Sequence, residues 1–160
     1  MVTSTPLIFR PAVPEDAQTL VGMINAMAAT DKCPGLEPMA EHRLIRDLFE
    51  KKRFEVVLAE WQGTVAGYLA FYQGYSTFEA RPTLFTDDLY VKNEYRGRHV
   101  AFELFRHLLR EAKRRDCGRV EWRVVEGNEE AFGFYDRMKA KKLQGWVPYR
   151  LTYGDIQRMG

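Results

Sequence analysis

Leu84-Phe85-Thr86-Asp87-Asp88-Leu89-Tyr90-Val91 reads as a strand, Lys92-Asn93-Glu94-Tyr95-Arg96-Gly97-Arg98-His99 as a short basic turn, and Val100-Ala101 as the opening of a helix. The helix follows from spacing: Ala101, Leu104, Phe105, Leu108, Leu109 and Ala112 mark one face, with Arg106, Arg110, Lys113 and Arg114 elsewhere on the cylinder. A strand that runs through a tight turn into a helix aims unpaired backbone N–H groups at whatever lies over the helix start. With the side chains of Arg96 and Arg98, those donors make a cradle suited to a pyrophosphate. The same residues also read as an ordinary loop, with two solvated arginines and a glycine that relieves the turn.

The flanking segments place this unit in a larger pattern. Leu7 and Phe9 begin a first strand; Pro14, Glu15 and Asp16 supply a helix start, after which Leu20, Met23, Ile24 and Met27 repeat at helical spacing. A loop at Pro34-Gly35 leads to a second amphipathic helix carrying Leu44, Ile45, Leu48 and Phe49. Phe54 to Trp61 and Thr64 to Tyr72 are strands joined by a Gln62-Gly63 hairpin turn. After the helix that ends near Cys117-Gly118, Val120, Trp122 and Val124 alternate as a strand, Asn128 can cap a helix to about Met138, and two strand-like pieces follow near Leu143–Val147 and Tyr149–Tyr153. The order is β-α-α-β-β-β-α-β-α-β-β. It predicts an α/β (α+β) fold: a mixed, mostly antiparallel central sheet flanked by about four helices, with a βαβ-like second half.

A chain of 160 residues with 46% hydrophobic content supports one core, so residues 1–160 are expected to form a single domain. No run approaches the length of a membrane span. Met1 to Thr5 lacks the basic and apolar regions of a signal peptide, which points to a cytoplasmic protein. Cys33 and Cys117 lie far apart without metal-ligand spacing, so two reduced structural cysteines are expected and no metal site. Arg98, Arg106, Arg110, Lys113, Arg114, Arg115 and Arg119 could track a nucleic-acid backbone, but Glu103, Glu111, Asp116 and Glu121 interrupt them; with a net charge of +2 this reads as a solvated face.

Several stretches in register resemble the GNAT superfamily of N-acetyltransferases, and within it the branch of spermidine/spermine and thialysine acetyltransferases: Ile8-Phe9-Arg10-Pro11-Ala12, Asp87-Asp88-Leu89-Tyr90-Val91, Tyr95-Arg96-Gly97, Asp116-Cys117-Gly118-Arg119, Asn128-Glu129 with Phe134-Tyr135, and Trp146 to Leu151. The family's coenzyme loop, Arg/Gln-x-x-Gly-x-Gly/Ala, is similar to Arg96-Gly97-Arg98-His99-Val100-Ala101, with His99 in place of the central glycine. Lys139 also stands where the family usually places a glycine that ends a helix. A β-carbon at position 99 must point away from the phosphates or intrude on them.

The resemblance implies acetyl-CoA as cosubstrate, a small primary amine (polyamine, diamine or amino-acid-like amine) as acceptor, and direct transfer in a ternary complex. It implies contact with the coenzyme by the backbone of Leu89, Tyr90 and Val91, by residues Arg96 to Ala101, and by Asn128 and Tyr135. Asn128 is equally a plain N-cap. Tyr135 would protonate the departing thiolate, a thiol near pKa 8.5 and a phenol near about 10 being close enough to share a proton; beside Phe132 and Phe134 it is otherwise a core aromatic. Asp87 and Asp88 would bind the amine, Asp87 also relaying its proton through water. An alkylamine is only about one part in 2,500 neutral at pH 7, a deficit of roughly 4.6 kcal/mol. On a regular strand these adjacent aspartates face opposite ways, and either is otherwise a solvated charge. The late segment Trp146–Leu151 resembles strands that pack or exchange between subunits, implying a homodimer, although Pro148 breaks strand pairing there. The competing reading, motivated by His99 and Lys139, is a coenzyme-binding or regulatory module of the same fold without catalysis.

Overall fold

The computed structural model describes residues 7–160; the Met1–Thr5 start read above for targeting lies outside them. The chain divides into two compact units, Met1–Arg123 and Val124–Gly160. The first holds β1 (Leu7–Pro11), α1 (Ala17–Thr30), α2 (Pro38–Phe49), β2 (Glu55–Trp61), β3 (Thr64–Ser76), β4 (Arg81–Val91), α3 (Val100–Arg114) and β5 (Arg119–Trp122). Its sheet runs β1-β2-β3-β4-β5, antiparallel until the final parallel pair of β4 with β5. Because α3 connects that parallel pair, the expected βαβ-like half is present.

Local chemistry explains the connections. Gln62 and Gly63 both adopt left-handed φ, 51° and 78°, the geometry that matches a two-residue turn to strand twist. At the start, Arg10 donates through Nη1 to Asp16 Oδ2 (2.7 Å) and through Nε to Glu60 Oε1 (2.8 Å). Asp16 also accepts from the Val13 amide at 2.8 Å, so one carboxylate caps the Pro14–Asp16 turn and clamps it to β1.

The sheet is covered on both faces, which is why β2 reads as the unbroken buried run Val56–Ala59. On one face Leu20, Met23 and Leu48 of α1 and α2 pack with Val56, Leu58, Tyr68, Ala70 and Tyr90. On the other lies α3: the His107 ring is 5.4 Å from Phe9, and the Arg115 guanidinium is 5.6 Å from Phe71. Val100, Leu104, Phe105, Leu108 and Ala112 form the buried side of α3, close to the expected face; Leu109 is instead exposed.

The second unit holds α4 (Glu129–Arg137) and α5 (Tyr153–Met159). The two strands expected near Leu143–Val147 and Tyr149–Tyr153 are not formed; residues 141–152 are irregular, and the described residues hold five α-helices, where about four were expected. Pro148 has no N–H to give a ladder and Gly145 takes φ 82°. The Thr152 hydroxyl accepts from the Asp155 amide while Asp155 accepts from the Thr152 amide, a capping box that starts a helix where a strand was expected.

Candidate active site

The loop before α3 keeps a glycine's backbone without the glycine. Gly97 has φ 73°, and His99, the N-cap residue of α3, has φ 61° and ψ 10° with no side-chain cap bond. The left-handed region costs a residue with a β-carbon about 1–2 kcal/mol, although histidine is among those that enter it more readily. His99 is exposed, and its backbone lies in the left-handed region that glycine enters freely. Residues 96–99 form a turn that leads into α3, whose first-turn amides have no carbonyl of the helix to reach and make a donor array at its start.

The two arginines are held rather than loose. Arg96 Nε donates to the Val91 carbonyl at 3.4 Å. The Arg98 guanidinium lies 5.4 Å from the Trp61 ring centroid and 5.9 Å from that of Tyr95, a cation–π arrangement over two aromatics. Val100 is buried and Ala101 half-buried beneath the loop. Farther along, the basic face of α3 is matched by acids: Arg106 with Glu103, Arg114 with Glu111, and Arg115 with Glu111 and Glu55.

β4 carries a bulge where the sequence suggested regular alternation. Ala70 pairs with Asp88 and Phe71 with Thr86, leaving Asp87 as the extra residue. The bulge interrupts the regular alternation expected at Asp87 and Asp88. Asp87 is exposed; Asp88 is half-buried, and the Tyr68 hydroxyl donates to its Oδ2 at 2.8 Å. Burial pushes the Asp88 carboxyl above its ordinary range; the Tyr68 bond acts against that, while the charges of Asp87 and of Asp31, which caps the end of α1, push it further up. Tyr68 and Asp31 escaped the sequence reading. Their common link to Asp88 depends on sheet register and the end of α1, neither of which has a local motif.

Below the bulge the strand is open on one side. β5 pairs with β4 only over Thr83–Thr86, whereas β3 follows β4 to Val91. Among the described residues, Asp87 to Val91 therefore have no strand partner on the β5 side; Tyr90 turns its backbone groups to β3, and the alternating Leu89 and Val91 turn theirs to the open side.

In the second unit Asn128 caps α4, its Oδ1 accepting from the Ala131 amide at 3.0 Å. The N-cap expected of Asn128 is thus present. Tyr135 stands two helical turns on and packs edge-to-face with Phe134, centroids 5.0 Å apart. Burial pushes its phenol up to about 12. Lys139 is left-handed like His99, at φ 60°; the amides of Ala140 and Lys139 return to the carbonyls of Tyr135 and Asp136 at 3.1 and 2.9 Å, ending α4 as glycine ordinarily does. Among the described residues no cluster of His, Cys, Asp or Glu is placed to hold a metal ion, and no helix is long and apolar enough to cross a membrane.

Residues 23–139, from within α1 to just beyond α4, match the acetyltransferase (GNAT) family. The chain belongs to that family. It is 28% identical over 148 residues to a thialysine N-epsilon-acetyltransferase of Caenorhabditis elegans, covering 91% of each chain. A shorter match, 31% identical over 93 residues, joins 58% of this chain to 41% of an L-ornithine N5-acetyltransferase of Arabidopsis thaliana. An integron cassette protein from the mobile metagenome of V. cholerae shares the fold, with a TM-score of 0.78, 20% identity and 96% coverage of both chains.

Proposed function

We propose that this protein is an acetyl-CoA-dependent N-acetyltransferase acting on a small primary amine, a diamine, polyamine or amino-acid-like amine, by direct transfer in a ternary complex. The observation that carries the reading is the half-buried Asp88, held by Tyr68 beside the bulged Asp87, next to an open stretch of β4 that leads into the α3 donor loop. Carboxylates in that setting attract a cation, and a backbone edge ending at a helix start suits an extended thioester arm with a pyrophosphate at its end.

Each residue has a distinct task. Asp88 and Asp87 hold the ammonium group, and the exposed Asp87 passes its proton to water so that nitrogen attacks with a free electron pair. The amide of Leu89 polarises the thioester carbonyl. Amides 97–102, with Arg96 and Arg98, hold the pyrophosphate. Tyr135 donates to the sulfur as it departs; with its phenol pushed up to about 12 it remains protonated throughout the working range. The cosubstrate supplies an activated acetyl group, and no covalent enzyme intermediate is required.

The relatives named for thialysine and ornithine acetylation support an acceptor with a terminal amine. A cytoplasmic setting fits two free cysteines. Exposed Trp146, Val147, Tyr149 and Leu151 support a homodimer; light scattering that gives a monomer at assay concentration removes that part. Calorimetry with acetyl-CoA followed by thioester loss over an amine panel tests the whole. Binding and turnover are expected. Binding without turnover favours the regulatory module, while a folded protein that binds no acetyl-CoA overturns the assignment.

A further inference from the structure

Tyr68 sits on the central strand β3 with no exposed surface, packed among Leu20, Met23, Leu48 and Leu58. A phenylalanine would fill that space equally well, so packing does not account for the hydroxyl. Its one strong bond is the 2.8 Å donation to Asp88 Oδ2; Met27 Sδ lies at 3.8 Å and the Tyr90 ring at a centroid distance of 6.1 Å. The ring is locked by its neighbours and the donor has a fixed place. Among the described residues it is the donor recorded for a carboxylate that feels two others, Asp87 on the same strand and Asp31 at the end of α1. Mutual repulsion among those carboxylates would otherwise turn Asp88 outward or favour its protonation.

We infer that Tyr68 is a positioning residue: its hydroxyl fixes Asp88 Oδ2 and leaves Oδ1 as the oxygen that takes the acceptor's ammonium group. The inference rests on the reading of Asp88 as an amine-binding carboxylate. Tyr68 does not touch the reacting atoms; it acts through Asp88, by orienting the carboxylate and by keeping it ionised. A charge-assisted bond of this kind favours the ionised carboxylate against burial and against the charges of Asp87 and Asp31.

The test is Tyr68→Phe, followed by the pH dependence of kcat/KM for an active amine and by carbon NMR titration of the Asp88 carboxyl. Loss of the hydroxyl should raise the Asp88 midpoint by about one pH unit and move the acidic limb of kcat/KM upward with it. KM for the amine should rise about tenfold while kcat stays within about threefold. In an Asp88→Asn background the same change should have no further effect on KM. An unmoved limb, or an equal loss in both backgrounds, reduces Tyr68 to a core residue and overturns the inference while leaving the acetyltransferase reading intact. A wild-type protein that acetylates no amine sinks that reading and the ammonium role together. If Tyr68→Phe does not fold, the wild-type protein decides: the Tyr68 Cζ resonance should titrate with the Asp88 midpoint, and a flat response there overturns the link.

Discussion

The guanidinium of Arg98 rests 5.4 Å from the centroid of the Trp61 ring, so the α3 donor loop is anchored on the far end of the β2–β3 hairpin. Such contacts contribute about 0.5–1 kcal/mol at exposed sites. Trp61→Leu should release Arg98 and weaken coenzyme A binding by about two- to fivefold, measured by calorimetry, with little effect on KM for the amine. Unchanged coenzyme affinity would mean that the arginine needs no anchor to do its work.

His99→Gly should stabilise the fold by about 1 kcal/mol, because glycine removes the left-handed strain at this N-cap at a smaller cost in chain entropy. Thermal unfolding would read this as a rise in Tm. Coenzyme affinity should stay within about threefold, since the backbone turn is already in place. A tenfold tightening would reveal an intruding imidazole, and a tenfold loss would reveal a phosphate donor.

Asp88→Asn should separate stability from function. The carboxyl is raised above its unfolded value, so the native state holds its proton more tightly. Stability from this group is full below the unfolded pKa of about 3.9 and is lost as pH rises through the native midpoint. The variant should therefore melt higher than wild type at pH 7.5, with the gap narrowing toward pH 4, while KM for the amine rises by at least about tenfold. A gap that widens on acidification contradicts the assigned direction.

Tyr135→Phe should lower kcat by about a hundredfold at saturating amine while leaving coenzyme binding nearly unchanged. Since burial pushes the phenol up to about 12, wild-type kcat should show no Tyr135-dependent decline up to about pH 10. Full turnover in the variant would remove Tyr135 from the chemistry.

Much of the first unit was legible because its signals are local. The α3 face, the Gln62-Gly63 turn and the Pro14 start each follow from a few neighbouring residues, and each lies where expected. The bulge at Asp87 was not legible: an extra residue in one strand shows only against its partner, and β3 has no mark in sequence saying where the register slips. Asp31 and Tyr68 were hidden for the same reason, being joined to Asp88 only by the folded chain. The missing late strands have a different origin. Trp146, Tyr149 and Leu151 have strand-like composition, yet Thr152 and Asp155 at capping-box spacing already announced a helix.

The short reach of β5 also has a consequence for handling the protein. The side of β4 at Leu89 and Val91 that no strand covers can pair with an extended segment of another chain as well as with a thioester arm. Ligand and neighbour would then compete for one seam, so coenzyme A should act as a solubility agent as well as a substrate partner. Preparations kept saturated with it should stay monodisperse on prolonged concentration, and stripped ones should cloud first.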